Sequence, residues 1–96
     1  RKGTMDQIMR KTCDYYNVRM SDLLSPKRSR NIARPRQMAM WLSKNLTQRS
    51  YPEIGKRFGN RDHTTVIHAV RKIDELKAQD SQIAEDAELL RRMLEA

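Results

Sequence analysis

The apolar residues of this chain recur three and four positions apart, and no segment alternates β-branched and polar residues with a period of two. That spacing predicts an all-α fold, a small helical domain whose helices are joined by short polar segments. At 96 residues there is room for one domain. A domain of that size hides only about 60–65% of the surface its unfolded chain exposes, so the core must be modest. The single cysteine, Cys13, rules out an internal disulfide and a multi-cysteine zinc site, and reads as a small semi-buried hydrophobe. No apolar run reaches the roughly 18 residues a membrane span needs, and no secretory-type apolar segment stands at the start. The opening Arg1-Lys2-Gly3 reads as the cut edge of a longer protein. An enzyme built around a large pocket does not fit this frame.

The helix boundaries are marked locally. Thr4-Met5-Asp6-Gln7 has the form of a capping box, so a first helix starts at Thr4, with Met5, Ile8, Thr12 and a tyrosine on one face and Asn17 as its stop. Ser21 to Leu24 predicts one short turn, followed by a basic loop at about 25–30. A second long helix covers roughly 31–46, with Met38, Trp41, Leu42 and Leu46 as its apolar stripe; Arg34, Arg36, Gln37 and Lys44 fall mostly outside that stripe. Pro35 fits this helix only in its first turn. Ser50-Tyr51-Pro52-Glu53 is another capping box, opening a brief helix that Gly59 and Asn60 can end, since both tolerate positive φ. Asp62 then stands where a cap belongs, before a helix from His63 to about Lys77 with Val66, Ala69, Val70, Ile73 and Leu76 buried. A last helix at about 81–95 buries Ile83, Ala87, Leu90 and Leu94.

Charge adds a direction. The net formal charge is +8, but residues 1–73 carry +12 and residues 74–96 carry −4. Between Leu23 and Pro52 there is no acidic residue, and five basic ones crowd the ten positions from Lys27 to Arg36. Such a field suits a phosphate polyanion, a nucleic acid or an anionic lipid surface, better than bland solubility. The acidic last helix is expected to pack behind, away from any polyanion.

The stretch at about 50–77 has the grammar of a helix-turn-helix: a short capped helix, a glycine turn, a longer amphipathic helix. The start of the second helix then enters the major groove. Arg61 can donate to guanine or clamp a phosphate, Asp62 can accept from cytosine, and His63 can donate to a base acceptor. The Thr64 methyl can touch thymine, and the Thr65 hydroxyl can reach phosphate. Each has a plainer role as well: Asp62 is a good N-cap with no ligand at all, and the threonines are common first-turn residues. His63 and His68 stand i, i+5, about 140° apart around a helix, which is not the i, i+4 spacing of zinc helices. There is no GxxxxGK[ST] phosphate loop, and the GxxxG spacing of Gly55 and Gly59 encloses Lys56 and Arg57, unlike a membrane dimer motif.

The run Glu53-Ile54-Gly55-Lys56-Arg57-Phe58-Gly59-Asn60-Arg61-Asp62-His63-Thr64-Thr65-Val66-Ile67-His68-Ala69 resembles the signature of the bacterial DnaA family of chromosomal replication initiators, in its C-terminal DNA-binding domain. Ser29-Arg30-Asn31-Ile32-Ala33-Arg34-Pro35-Arg36-Gln37-Met38-Ala39-Met40 is similar to that family's second conserved block. The likeness runs from about Met5 to the C-terminus. It implies a Trp-repressor-like domain that binds double-stranded DNA at asymmetric TTATCCACA-like boxes of a replication origin. It further implies base contacts from Arg61, Asp62, His63 and Thr64, with Arg28 of the basic loop in the adjacent minor groove, where arginine favours a narrow A·T-rich groove. Arg30, Arg36, Gln37, Lys44, Thr65, His68 and Lys72 would hold the DNA backbone, with Pro52 beside it. Asn60 stands where the family often has glycine, and Pro26 where it often has a basic residue.

The expected protein is thus a single DNA-binding domain over 1–96, monomeric alone, with no catalysis, no metal and no cofactor of its own. The resemblance places it in the bacterial cytoplasm, on the nucleoid, and adds an upstream ATPase domain through which the parent self-assembles on the origin. Two rival readings are a helix-turn-helix transcription regulator and an RNA-binding or protein-docking module. Stacking platforms for single-stranded bases are scarce, because Phe58 and Trp41 read as inward.

Overall fold

The structure, a computed structural model, describes residues 4–96, so Arg1-Lys2-Gly3 lie outside the described residues. Six helices follow one another: α1 (Met5–Tyr16), α2 (Met20–Leu23), α3 (Arg30–Leu46), α4 (Tyr51–Arg57), α5 (His63–Gln79) and α6 (Ser81–Glu95). The described residues contain no strand. Both predicted capping boxes form. Thr4 Oγ1 accepts from the Gln7 amide at 3.3 Å while the Gln7 side chain accepts from the Thr4 amide at 2.8 Å. Ser50 and Glu53 repeat the exchange at 3.2 and 2.8 Å. Asn17 closes α1 in the left-handed conformation, at φ 56.

Helix α3 is the hub, packing on α1, α2, α4, α5 and α6. Its stripe residues Met38, Trp41, Leu42 and Leu46 are all buried, as are Val66, Ala69, Val70 and Ile73 of α5 and Ile83, Ala87, Leu90 and Leu94 of α6. Leu76 packs at the margin of this core. Two hydroxyls inside it, Thr12 and Ser43, remain satisfied by donating back to carbonyls four residues earlier, at 2.7 and 2.8 Å. Trp41 is tied to α5 twice over: its indole N–H donates to Asp74 at 2.8 Å, and the Lys77 ammonium lies 4.4 Å from its ring centroid. These ties fix how α3 lies along α5, and that pairing sets the width of the charged cleft described below.

Two local expectations change. Pro35 is the sixth residue of α3 and buried, not in the first turn. Its ring cannot donate to the Asn31 carbonyl, a cost borne because the ring fills core space. Asp62 occupies the N-cap position of α5, yet its carboxylate does not cap. Asp80, by contrast, does cap α6: its Oδ1 accepts from the amides of Gln82 and Ile83 at 2.9 and 3.3 Å.

Candidate nucleic-acid interface

Helices α4 and α5 meet through a tight turn built on two glycines. Phe58 is fully buried and ends α4, and Gly59 and Asn60 then take φ of 75 and 59, as their residue types allow. The turn folds back over Gly55, whose carbonyl accepts from the Arg61 amide at 2.9 Å. A side chain on Gly55 would run into the Arg61 carbonyl, so only glycine permits this approach. The result is a helix-turn-helix with the first turn of α5 raised clear of the surface.

Asp62, His63, Thr64 and Thr65 are all exposed there. Three of them are mutually oriented. Thr64 Oγ1 donates to Asp62 Oδ2 at 2.6 Å, and His63 Nδ1 lies 3.2 Å from Asp62 Oδ1. The Thr64 hydroxyl, with His63 beside it, holds the Asp62 carboxyl below the usual carboxylate range, so it stays an acceptor. No side chain takes up the first-turn amides of α5, which leaves that helix end open to an anion.

Behind this tip, α3 and α5 run side by side and enclose an open cleft of about 320 Å³ lined by Arg36, Gln37, Arg61, Thr65, His68 and Lys72, with Ala33, Met40 and Ala69. Six residues picked out in the sequence, scattered from 36 to 72, therefore share one surface feature. Lys44, one turn and more along α3, reaches across to α4, its ammonium 4.3 Å from the Tyr51 ring centroid and next in sequence to the exposed Pro52. Arg28 and Arg30 are exposed on the basic loop and at the start of α3. The acidic α6 packs against α1, α3 and α5, and not against α4.

Two arginines depart from expectation. Arg36 is only 7% exposed. Its Nε donates to the Leu23 carbonyl at 2.7 Å, Nη1 to Lys27 at 2.8 Å, and Nη2 to Asp22 and Ser25 at 3.0 and 2.8 Å. A guanidinium with four of its five N–H groups spent on backbone carbonyls is an internal tie, and the expectation of a phosphate ligand is corrected accordingly. Arg61 turns inward too, donating to the Phe58 and Ser25 carbonyls, each at 2.5 Å. Burial lowers both guanidinium pKa values, and the neighbouring charge of Arg61 adds to the effect on Arg36.

Residues 5–73 match the family model described as the bacterial dnaA protein helix-turn-helix. The chain belongs to this family. The chromosomal replication initiator protein DnaA of Jannaschia sp. (strain CCS1) is 67% identical over 96 residues, all of this chain and 20% of that protein. The protein of the same name from Caulobacter vibrioides (strain NA1000 / CB15N) is 56% identical over 95% of this chain. A crystal structure of a DNA replication initiation factor is similar with a TM-score of 0.84 and 33% identity, covering 94% of this chain and 27% of that one. The chain spans about a fifth of the length of the curated relatives it matches.

Within this DnaA-family domain the family match ends at Ile73, so it takes in α1 to α4 and the exposed start of α5 but not α6. Sequence reasoning missed two parts of the site. Tyr51 supports Lys44 from below, which the Lys-to-Tyr spacing across a loop does not reveal. Ser25 supplies a carbonyl shared by two arginines, and a backbone acceptor leaves no mark in side-chain chemistry.

Proposed function

We propose that this domain binds double-stranded DNA in a sequence-specific manner, at boxes resembling TTATCCACA, and so positions a replication initiator at an origin. The start of α5 enters the major groove with Asp62, His63 and Thr64 on base edges. The basic loop sends Arg28 into the adjoining minor groove. Arg30, Gln37, Lys44, Thr65, His68 and Lys72 hold phosphates, and Pro52 lies against the backbone. No cofactor or metal takes part, and the domain binds as a monomer on one asymmetric box. ATP use and assembly on the origin belong, in this reading, to the rest of the parent protein in the bacterial cytoplasm.

The observation that carries the reading is the convergence of an outward, uncapped helix tip with a cleft immediately behind it that offers the polar groups of Gln37, Thr65, His68 and Lys72. Phosphates flanking a groove would lie along that cleft while the tip reads the bases between them. Trp41 and Phe58 are buried and the three tyrosines half-buried, so no aromatic ring among the described residues stands fully exposed as a stacking platform of the kind single-stranded RNA needs. Fluorescence anisotropy on a box duplex, a scrambled duplex and a matched RNA tests this. Binding should favour the box and weaken steeply with salt, as for about 6–10 phosphate contacts. Equal affinity for all three, or a flat salt response, would overturn it.

A further inference from the structure

The root of the basic loop is held by two guanidinium groups that come from different elements of the fold. Arg36 of α3 and Arg61 of the turn before α5 both donate to the Ser25 carbonyl, at 2.8 and 2.5 Å. Arg36 gathers the carbonyls of Asp22, Leu23 and Lys27 as well, so it collects the chain on both sides of Ser25. Arg61 spans from Ser25 to the Phe58 carbonyl at the end of α4. The turn also touches the loop root directly: a Cβ built on Gly59 would stand 2.5 Å from the Leu24 carbonyl oxygen. Among the described residues, neither guanidinium is paired with a carboxylate. Their partners are carbonyl dipoles, which fix direction more strictly than a point charge does, and a planar fork is needed to meet two of them at once.

We infer that Arg36 and Arg61 form a clasp that locks the arm carrying Arg28 to the recognition turn, and that Arg61 acts by placing the arm instead of reading a base. The inference rests on the reading that the loop and the α5 tip engage one duplex. Its physical content is preorganisation. An arm left free would have to be ordered as DNA binds, at the expense of affinity; a clasped arm is ordered on folding. Arg28 is exposed and follows directly on Lys27, the last residue that Arg36 holds, so the part that reaches DNA projects from a fixed base. The clasp also gives the two grooves a common register: a shift of the arm must move Ser25, and Ser25 is tied to the residue that precedes Asp62.

A double-mutant cycle tests this on the folded 96-residue domain, with helix content checked by circular dichroism. Arg61→Gln should weaken binding to a TTATCCACA duplex by about tenfold, a size typical of ordering one or two side chains and their backbone. Arg61→Lys should weaken it nearly as much, since the shorter lysine brings one nitrogen where the guanidinium holds two in a fixed fork, one on the Phe58 carbonyl and one on the Ser25 carbonyl. In an Arg28→Ala background the same Arg61→Gln step should shrink to within about twofold, because no arm side chain remains to be placed. If the full tenfold step persists there, or if Arg61→Lys binds like the parent, Arg61 contacts DNA itself and the clasp is overturned. If Arg28→Ala alone leaves box binding unchanged, the minor-groove reading fails separately, and amide hydrogen exchange of the DNA-free domain decides the clasp. There the Lys27 amide, bonded to Ser25 Oγ at 3.2 Å, should exchange several-fold faster in Arg61→Gln; an unchanged rate overturns the inference.

Discussion

The Tyr16 phenol donates to Asp86 Oδ2 at 2.9 Å, joining α1 to α6 across an interval of 70 residues. The other oxygen of the same carboxylate accepts from Tyr15 at 2.7 Å and from the Gln82 side-chain Nε2 at 2.9 Å. Asp86 is only 5% exposed, so a carboxylate has been taken out of water and repaid with three donors. Removing one donor weakens that settlement. Tyr16→Phe should destabilise the domain by about 2 kcal/mol, the range for a hydrogen bond to a charged group. Thermal unfolding reads the loss. DNA affinity of the folded variant should not change, because the triad sits on the α1–α6 side; a parallel loss of affinity would contradict that separation.

The same cluster makes stability depend on alkaline pH. The bond to Asp86 raises the Tyr15 phenol to about 12, and burial together with Asp86 raises Tyr16 further. A phenol whose pKa is raised by folding contributes stability that is fully present below its unfolded value of about 10 and is lost as pH climbs through the folded value. Above the unfolded value the unfolded chain sheds protons first and is favoured. Denaturant midpoints should therefore hold from neutral pH to about 10 and fall beyond it, and the fall should be shallower in Tyr15→Phe. An identical fall in that variant would assign the effect to other groups.

What could be read in advance was whatever is decided within four or five residues. The capping boxes at Thr4 and Ser50, the left-handed Asn17, Gly59 and Asn60, and the apolar stripes of α3, α5 and α6 all follow from nearest-turn geometry, and all are present. Misreadings arose where a distant partner decides. Arg36 sits off the apolar stripe and reads as a solvent cation, but carbonyls 9 to 14 residues upstream draw it inward. Asp62 is the local exception: within one turn the Thr64 hydroxyl competes with the helix amides as donor and takes its carboxylate. Asp86 looks like one more acid on an acidic helix until two tyrosines from α1 arrive. The exposed tip of α5 was legible because its residues have base-reading chemistry and no apolar periodicity to bury them.

The turn gives a prediction with two opposite arms. Gly59 has φ 75, and a Cβ there would meet the Leu24 carbonyl. Gly59→Ala should cost more than the roughly 1–2 kcal/mol of a left-handed non-glycine residue, since the loop root must also retreat. Asn60, at φ 59, is exposed and of a residue type that tolerates the left-handed region, so Asn60→Gly should lie within about 0.5 kcal/mol of the parent. Chemical denaturation of the two variants separates them; equal effects would remove the Gly59–Leu24 approach as the cause.

Lys44 stands over the Tyr51 ring with its ammonium free to face a phosphate. A phosphate ligand carries no sequence information. Lys44→Ala should weaken box and scrambled duplexes by the same factor and lower the salt slope by about one. Titrations at several salt concentrations check both. A loss confined to the box would move Lys44 into base readout.

Thr64 tests the opposite role. Its hydroxyl donates to Asp62 Oδ2 at 2.6 Å, so one side chain both presents a methyl at the tip and fixes the direction of the neighbouring acceptor. Thr64→Ala removes both the hydroxyl and the γ-methyl and frees the Asp62 carboxylate to rotate. Thr64→Val keeps the shape and also removes the hydroxyl, so the two variants share the loss of orientation and differ in bulk. Both should reduce discrimination between box and scrambled duplex by about 1–3 kcal/mol, the value of one good base contact, while affinity for scrambled DNA stays put. Competition anisotropy against both duplexes gives the ratio directly. If Thr64→Val discriminates like the parent while Thr64→Ala does not, the methyl contact carries the readout and the hydrogen bond to Asp62 is incidental. If both lose affinity equally on the two duplexes, the tip of α5 is not reading bases.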